Sequence, residues 1–254
     1  IIKPTDSSGS RGVILVSKKK ELINAYSYSQ KHSRTGAVIV EEFMNGNEVS
    51  VEIMMVGGQP NILAVTDKVI TGAPHFVEMG HSQQSQLMED NVTRIKDLSI
   101  RAVKAIGLKD GPAHVEIMLT SEGPKLVELG ARMGGDYITT HLVPYSTGID
   151  MVEATIRILT GENPDISRKF NKGSAIRYLN VPSGRIISIE GIESAREIKG
   201  IKEITLLKNV GDTTEGIKSS GDRVGFVIAQ GSDTKAAISA CEEAINKIKI
   251  QVNA

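Results

Sequence analysis

The chain has 254 residues with thirty basic and thirty acidic side chains, a formal net charge of zero. No global field therefore draws it to nucleic acid or to an anionic membrane, and any anion must be met by a local site. Its one cysteine, Cys241, excludes an intramolecular disulfide and a cysteine-based zinc cluster and suits a reducing, cytoplasmic compartment; no apolar run approaches the roughly 18 to 20 residues that span a bilayer.

In chain order, residues 1–3 and 13–16 read as two strands joined by the Ser/Gly-rich loop "KPTDSSGSRG", and Ser17 is placed to cap a polar helix reaching about His32. Residues 38–43 and 49–56 are strand-like, and Asn45-Gly46-Asn47 between them is a turn signal, so this segment reads as a hairpin. A strand over 61–66 leads into an irregular stretch, 68–87. Asp90 is expected to cap a helix whose apolar positions Val92, Ile95, Leu98, Ala102 and Ile106 keep helical spacing until Gly107. Residues 115–119 and 125–129 flank Ser121-Glu122-Gly123 as a second hairpin. A helix over 149–159 closes at Gly161, and Glu162-Asn163-Pro164 reads as a linker. Short strands near Ala175, Ile186, Ile204 and residues 224–229 then precede a final helix over about 232–248.

The second hairpin carries the sharpest chemical signal. A three-residue loop pairs the strands about Glu122 and sets Glu116 opposite Glu128. Like charges so placed, with Cβ atoms about 4.5–5.5 Å apart, destabilise a sheet unless a cation lies between them. Two carboxylates completed by phosphate oxygens and water suit Mg²⁺. The alternative is a slipped register that turns one glutamate to solvent. Arg132 follows Glu128 by four residues in "VELGARMGGD", too glycine-rich for a helix, and a loop guanidinium there could hold charge on a transferring phosphoryl group.

The opening loop is not a Walker A motif, because no Gly-Lys-Ser/Thr follows and no helix starts at its end. Strand, glycine-rich turn, strand is the geometry of a flap whose amides cover phosphates, with Lys3 at its base as a point charge; a plain surface turn is the competing reading. In "VEEFMNGNEVSVE", backbone near Met44 could meet an adenine edge and Glu48 ribose hydroxyls, although alone the segment is an ordinary hairpin.

Together and in this order, "IIKP", "DSSGSRG", "EEFMNGNE", "HVEIM...KLVEL" and "ELGARMGG" resemble the ATP-grasp superfamily over about residues 1–160. The resemblance implies an α/β (α+β) fold of antiparallel sheets with flanking helices and a small α/β C-terminal lid. The ATP-grasp part would occupy 1–165 and a C-terminal ligase-type domain 166–254. It implies that Lys3 binds ATP phosphates, that Ser8, Gly9 and Ser10 close over them, and that Glu41 and Met44 hold adenine and Glu48 ribose. Glu116 and Glu128 would hold Mg²⁺ or Mn²⁺, and Arg132 the acyl-phosphate region. Gly130 stands where many relatives carry Asn, so a second metal ion would be held less completely.

Within the superfamily, "DKVITGAPHFVEMGHSQQSQL" and the tail from "SIEGIESAREIKGI" onward are most similar to the L-amino-acid ligase group. That likeness places His81, with Lys68, near a carboxylate substrate; the other reading of His81 is a histidine that caps a turn. His114 is assigned to the face of the sheet opposite Glu116. The implied partners are a small-molecule carboxylate and an amine, in a monomer or a homo-oligomer, with no nucleic acid or membrane. The chain resembles the C-terminal part of a larger ligase and is expected to be inactive without the remainder. Readings left open are a carbamoyl-phosphate-synthase-like, biotin-carboxylase-like or purine-biosynthetic ligase, and a split or non-catalytic ATP-binding subunit.

Overall fold

The computed structural model describes residues 1–253. The first half runs β1 (Ile2–Pro4), α1 (Leu22–Lys31), β2 (Val38–Val40), β3 (Asn47–Val56), β4 (Gln59–Ile70), β5 (Glu78–Gln83), α2 (Glu89–Ala105), β6 (Gly111–Thr120) and β7 (Gly123–Gly130). The second half runs α3 (Val143–Thr147), α4 (Met151–Leu159), β8 (Gly173–Leu179), β9 (Gly184–Glu190), α5 (Ile192–Arg196), β10 (Ile201–Leu206), β11 (Thr213–Thr214), β12 (Gly225–Gly231), α6 (Thr234–Lys247) and β13 (Lys249–Asn253). An eight-stranded antiparallel sheet, ordered β10-β12-β8-β5-β4-β3-β6-β7, dominates; β1-β2 and β11-β9-β13 form two small sheets. This is the expected mixed fold of antiparallel sheets with flanking helices. The large sheet runs without a break across residue 165, because β8 pairs with β5 from Gly80↔Arg177 to Gln83↔Ser174.

Period-two alternation sorts each strand between two environments. Val49, Val51, Ile53 and Met55 of β3 pack with Val65, Val115 and Ile117 against Val92, Ile95 and Val103 of α2. In α2 the buried residues, Val92, Ile95, Ser99 and Val103, recur at three- and four-residue steps, one face of a helix. Farther along the sheet, Ala175, Val227 and Ala229 pack on the same principle against Ala237, Cys241 and Ala244 of α6. The opposite sheet face is apolar at one end, where Met54, Ile176 and Phe226 meet Ile138, Leu142 and Met151. Its other end is polar and carries the site.

Several local expectations differ from the structure. Residues 13–16 form no strand: Ile14 makes a single bridge to Ile2. An antiparallel ladder would next pair Gly12 with Pro4, which has no N–H, and Gly12 sits with φ +80°. The 38–56 hairpin does not exist, since β2 pairs with β1 and β3 lies between β4 and β6. Gly46 is needed there for close approach, because a Cβ would collide with the Leu119 carbonyl. The "irregular" 68–87 stretch holds the end of β4 and all of β5; neighbours on both edges hold Glu-Met-Gly-His-Ser-Gln as a strand despite weak propensity. Ser17 and Asp90 cap nothing. Glu21 reaches back to the Ser17 and Lys18 amides, and α2 begins after Met88. Strands β11 and β13 were not anticipated. No helix among the described residues is long and apolar enough to cross a membrane.

Candidate active site

The β6–β7 hairpin reaches the expected register by an unexpected route. Its loop has two residues, since Thr120 pairs with Gly123, and on that register Glu116 would miss Glu128 by one. A bulge at Val127, between Ile117↔Leu126 and Glu116↔Glu128, restores the pairing. The cation beside Glu116 belongs to the protein. Lys68 Nζ lies 3.0 Å from Glu116 Oε1, 2.6 Å from Glu48 Oε1 and 3.8 Å from Glu78 Oε1, and its side chain is 2% exposed. Burial alone would lower the Lys68 pKa; Glu116, Glu48 and Glu78 outweigh it and hold the ammonium well above its ordinary range. Glu116 is likewise held far below the usual carboxylate range, because Lys68 and His114 overcome the opposing effect of burial.

His114 does not face away from Glu116. Residues two apart in a strand share a face, and its Nε2 is 3.1 Å from Glu116 Oε1 while Nδ1 is 2.8 Å from Glu52 Oε1. Burial pulls its pKa down, but the charge of Glu52 and the bonds to Glu116 and Glu52 push it up to about 10.

A cleft of about 570 Å³ opens over this row, lined among others by Ser8, Gly9, Arg11, Lys68, His81 and Arg132. Arg132 stands at its rim, 51% exposed, donating to the Met133 carbonyl at 3.0 Å and lying 3.4 Å from Glu128, itself 52% exposed. The flap is drawn down over the cleft: Ser10 Oγ donates to Glu78 Oε2 at 3.2 Å, and Gly9 O accepts from the Ser220 amide at 3.1 Å. Gly9, with φ +65°, occupies the left-handed region that glycine enters without strain. Ser220 belongs to the single helical turn Ser220–Asp222, so the second half of the chain supplies one wall. Arg223 supplies more, gripping Asp136 with two bonds of 2.9 Å and lying 3.8 Å over the Tyr178 ring. Asp136 also meets His81 Nε2 at 3.1 Å. Burial would raise the Asp136 pKa, and His81 and Arg223 reverse this to hold it well below the usual range. His81 is 1% exposed, so this side chain presents almost no surface to the cleft.

Beside the flap lies a second, more apolar hollow of about 260 Å³, walled by Phe43, Met44, Ile70, Phe76 and Met118 and edged by Glu48, Glu116 and Glu128. Its rim contains two predicted residues that meet each other, Lys3 Nζ and Glu41 Oε2 at 2.7 Å. The Glu41 amide and carbonyl both bond to Ile1, each at 2.9 Å.

The predicted residues thus fall in two adjoining hollows that share Glu78 and Glu116. Sequence reasoning missed Glu52, Glu78, Asp136 and Arg223. Asp136, four residues beyond Arg132, and Glu78, three before His81, had local signals; Arg223 and Glu52 had none. As for a divalent ion, both protein donors to Glu116 fall on Oε1, and no described residue donates to Oε2. No cluster of three or more His, Cys, Asp or Glu suited to a metal occurs among the described residues. One partly buried and one half-exposed carboxylate, with the rest of the shell left to phosphate and water, fit Mg²⁺.

The protein-family model described as ATP-grasp domain matches residues 1–141. The chain belongs to the ATP-grasp family. A second model, L-amino acid ligase C-terminal domain 2, matches residues 177–253. Among curated relatives, an uncharacterized protein of Sinorhizobium fredii is 28% identical over 98% of this chain and 52% of its own length. The L-arginine-specific L-amino acid ligase of Bacillus subtilis is 24% identical over 87% of this chain and 54% of its own. The chain therefore spans about half the length of these relatives. The solved L-amino acid ligase of Bacillus licheniformis superposes with a TM-score of 0.84 at 23% identity, over 100% of this chain and 63% of the other. That likeness concerns the fold.

Proposed function

We propose that this ATP-grasp chain is the ATP- and metal-binding part of a carboxylate–amine ligase that joins amino acids. The observation that carries the reading is the Glu116↔Glu128 register, with Glu116 Oε2 left without a protein donor at the junction of the two hollows. Adenine would lie against the wall of Phe43, Phe76 and Met118 with the Met44 segment along its edge, and Ser8, Gly9 and Ser10 would cover the phosphates beside Lys3. Glu48, held by Lys68, would meet the ribose through its remaining oxygen. Glu116 and Glu128 would hold Mg²⁺, which would neutralise phosphate charge and fix the γ-phosphoryl group in line.

In the first step a substrate carboxylate oxygen attacks the γ-phosphorus, the bond to the β-phosphate oxygen breaks, and ADP leaves an acyl phosphate behind. Arg132 is placed to hold charge on the transferring group. In the second step an uncharged amine attacks the acyl carbon, the C–O bond to phosphate breaks, the amine nitrogen loses a proton, and an amide and inorganic phosphate remain. The flap, tied to Glu78 and Ser220, would keep water from the acyl phosphate. The match of residues 177–253 favours the amino-acid reading over the carboxylase and purine ones. We further propose two units, 1–165 and 166–254, that share the large sheet.

Calorimetric titration with ADP, with and without Mg²⁺, tests the metal hairpin. Wild type is expected to bind more tightly with Mg²⁺ and Glu128→Gln to lose that enhancement. An equal enhancement in both would remove the basis for the paired-carboxylate reading.

A further inference from the structure

Glu52 is a carboxylate that the proposed chemistry does not use. It is fully buried on β3, 0% exposed, directly across from His114 on β6. A carboxylate taken out of water costs several kcal/mol unless it is well paired, so its place calls for a physical reason. Glu52 Oε1 accepts from Ser50 Oγ at 3.1 Å and meets His114 Nδ1 at 2.8 Å, and the other imidazole nitrogen meets Glu116 at 3.1 Å. The two groups flanking the ring are carboxylates, which as ions only accept, so both ring nitrogens donate.

Two consequences follow from the rigid ring. Anchoring Nδ1 on Glu52 aims Nε2–H at Glu116 Oε1, the same oxygen that Lys68 holds at 3.0 Å. The carboxylate is thereby turned so that Oε2 is the atom presented to the cleft. Glu52 also sets a carboxylate behind the ring, on the side away from Glu116. The loop bearing Arg132 rests on the same pair: a Cβ at Gly134 would stand 2.8 Å from both Glu52 Oε2 and His114 Nδ1. Only a residue without a side chain lets that loop approach.

We infer that Glu52 and His114 are positioning residues that orient Glu116 for its divalent cation through a buried carboxylate–imidazole–carboxylate chain. The inference rests on the metal reading given above. Partners of this kind behind ligating carboxylates contribute about 10–100-fold to metal affinity.

The test is Mn²⁺ affinity, read by electron paramagnetic resonance in the presence of ADP, across His114→Gln, His114→Asn, His114→Leu and Glu52→Gln, with the metal-free ADP affinity and thermal midpoint of each. A glutamine amide nitrogen reaches where Nε2 stands, whereas an asparagine one stops near Nδ1. His114→Leu and His114→Asn are therefore expected to weaken Mn²⁺ about 10–100-fold, with His114→Gln recovering most of it and metal-free ADP binding unchanged. Glu52→Gln, nearly isosteric, should also weaken Mn²⁺, and it stands in should His114→Leu not fold. Wild-type Mn²⁺ affinity in every folded variant, or losses that follow the thermal midpoints and not the donor position, would overturn the inference while leaving the metal reading intact. Absence of Mn²⁺ binding in wild type would sink the metal reading and the inference together.

Discussion

Along β3, Val49, Val51, Ile53 and Met55 meet α2 in a dry layer, while the alternating Glu48, Ser50 and Glu52 are held on the other face by Lys68 and His114. Both faces are largely withdrawn from water, yet they are stabilised in opposite ways. On the apolar face each side chain contributes by the area it buries, about 1.5–3 kcal/mol for a large aliphatic one. On the polar face no residue is favourable alone. Lys68 is tolerable because of Glu48, Glu78 and Glu116, and Glu116 because of Lys68 and His114. A core can be assembled piecemeal, but such a site holds only as a set.

The comparison is broken most strongly by removing one member from each face. Lys68→Met strips the shared cation from three carboxylates and is expected to cost about 3–5 kcal/mol in urea unfolding. Ile95→Ala, on the α2 side, is expected to cost about 2–5 kcal/mol. Magnitude alone does not separate them, but pH does. Without Lys68 the clustered carboxylates favour their neutral forms, so Lys68→Met should regain stability as pH falls from 7 towards 5, and Ile95→Ala should follow wild type. A parallel pH response in the two variants would mean that the polar face is not held together by charge.

A smaller effect is expected at Asp136. Its folded pKa lies below the ordinary 3.8, so its contribution is present above pH 3.8 and is lost as pH falls through the depressed value. Asp136→Asn should therefore lower stability at neutral pH and flatten the acid limb of the unfolding curve below about pH 4. An unchanged acid limb would show that the Arg223 and His81 contacts do not bind the carboxylate.

The apolar face was easy to read because period two in β3 and β6 and period 3.6 in α2 are local patterns. The Glu116↔Glu128 pairing was also readable, although its loop is one residue shorter than supposed and the bulge at Val127 makes up the difference. What was hidden depends on strands far apart in sequence. Strand β5 has too little β-branched content to announce itself, and with it went Glu78; a bulge between Val69 and Ile70 is what brings that residue to the Lys68 side. Nothing near Arg223 signals Asp136, eighty-seven residues away. Side-chain sharing was the least legible: Lys3 and Glu41, or Glu48 and Glu116, each carry a reading alone, and only the fold shows that they are coupled.

The central claim is that the polar face binds Mg·ATP to activate a carboxylate for attack by an amine. Its most direct test is ADP and phosphate release by the full-length ligase of which this chain is the proposed ATP- and metal-binding part, with Mg·ATP, against single and paired amino acids, with mass spectrometry of the products. Release that requires two amino acids, with equimolar dipeptide formed, is the predicted result. Nucleotide binding without release on any pair, or release driven by bicarbonate, would contradict it and move the site to a non-catalytic or carboxylase-like role.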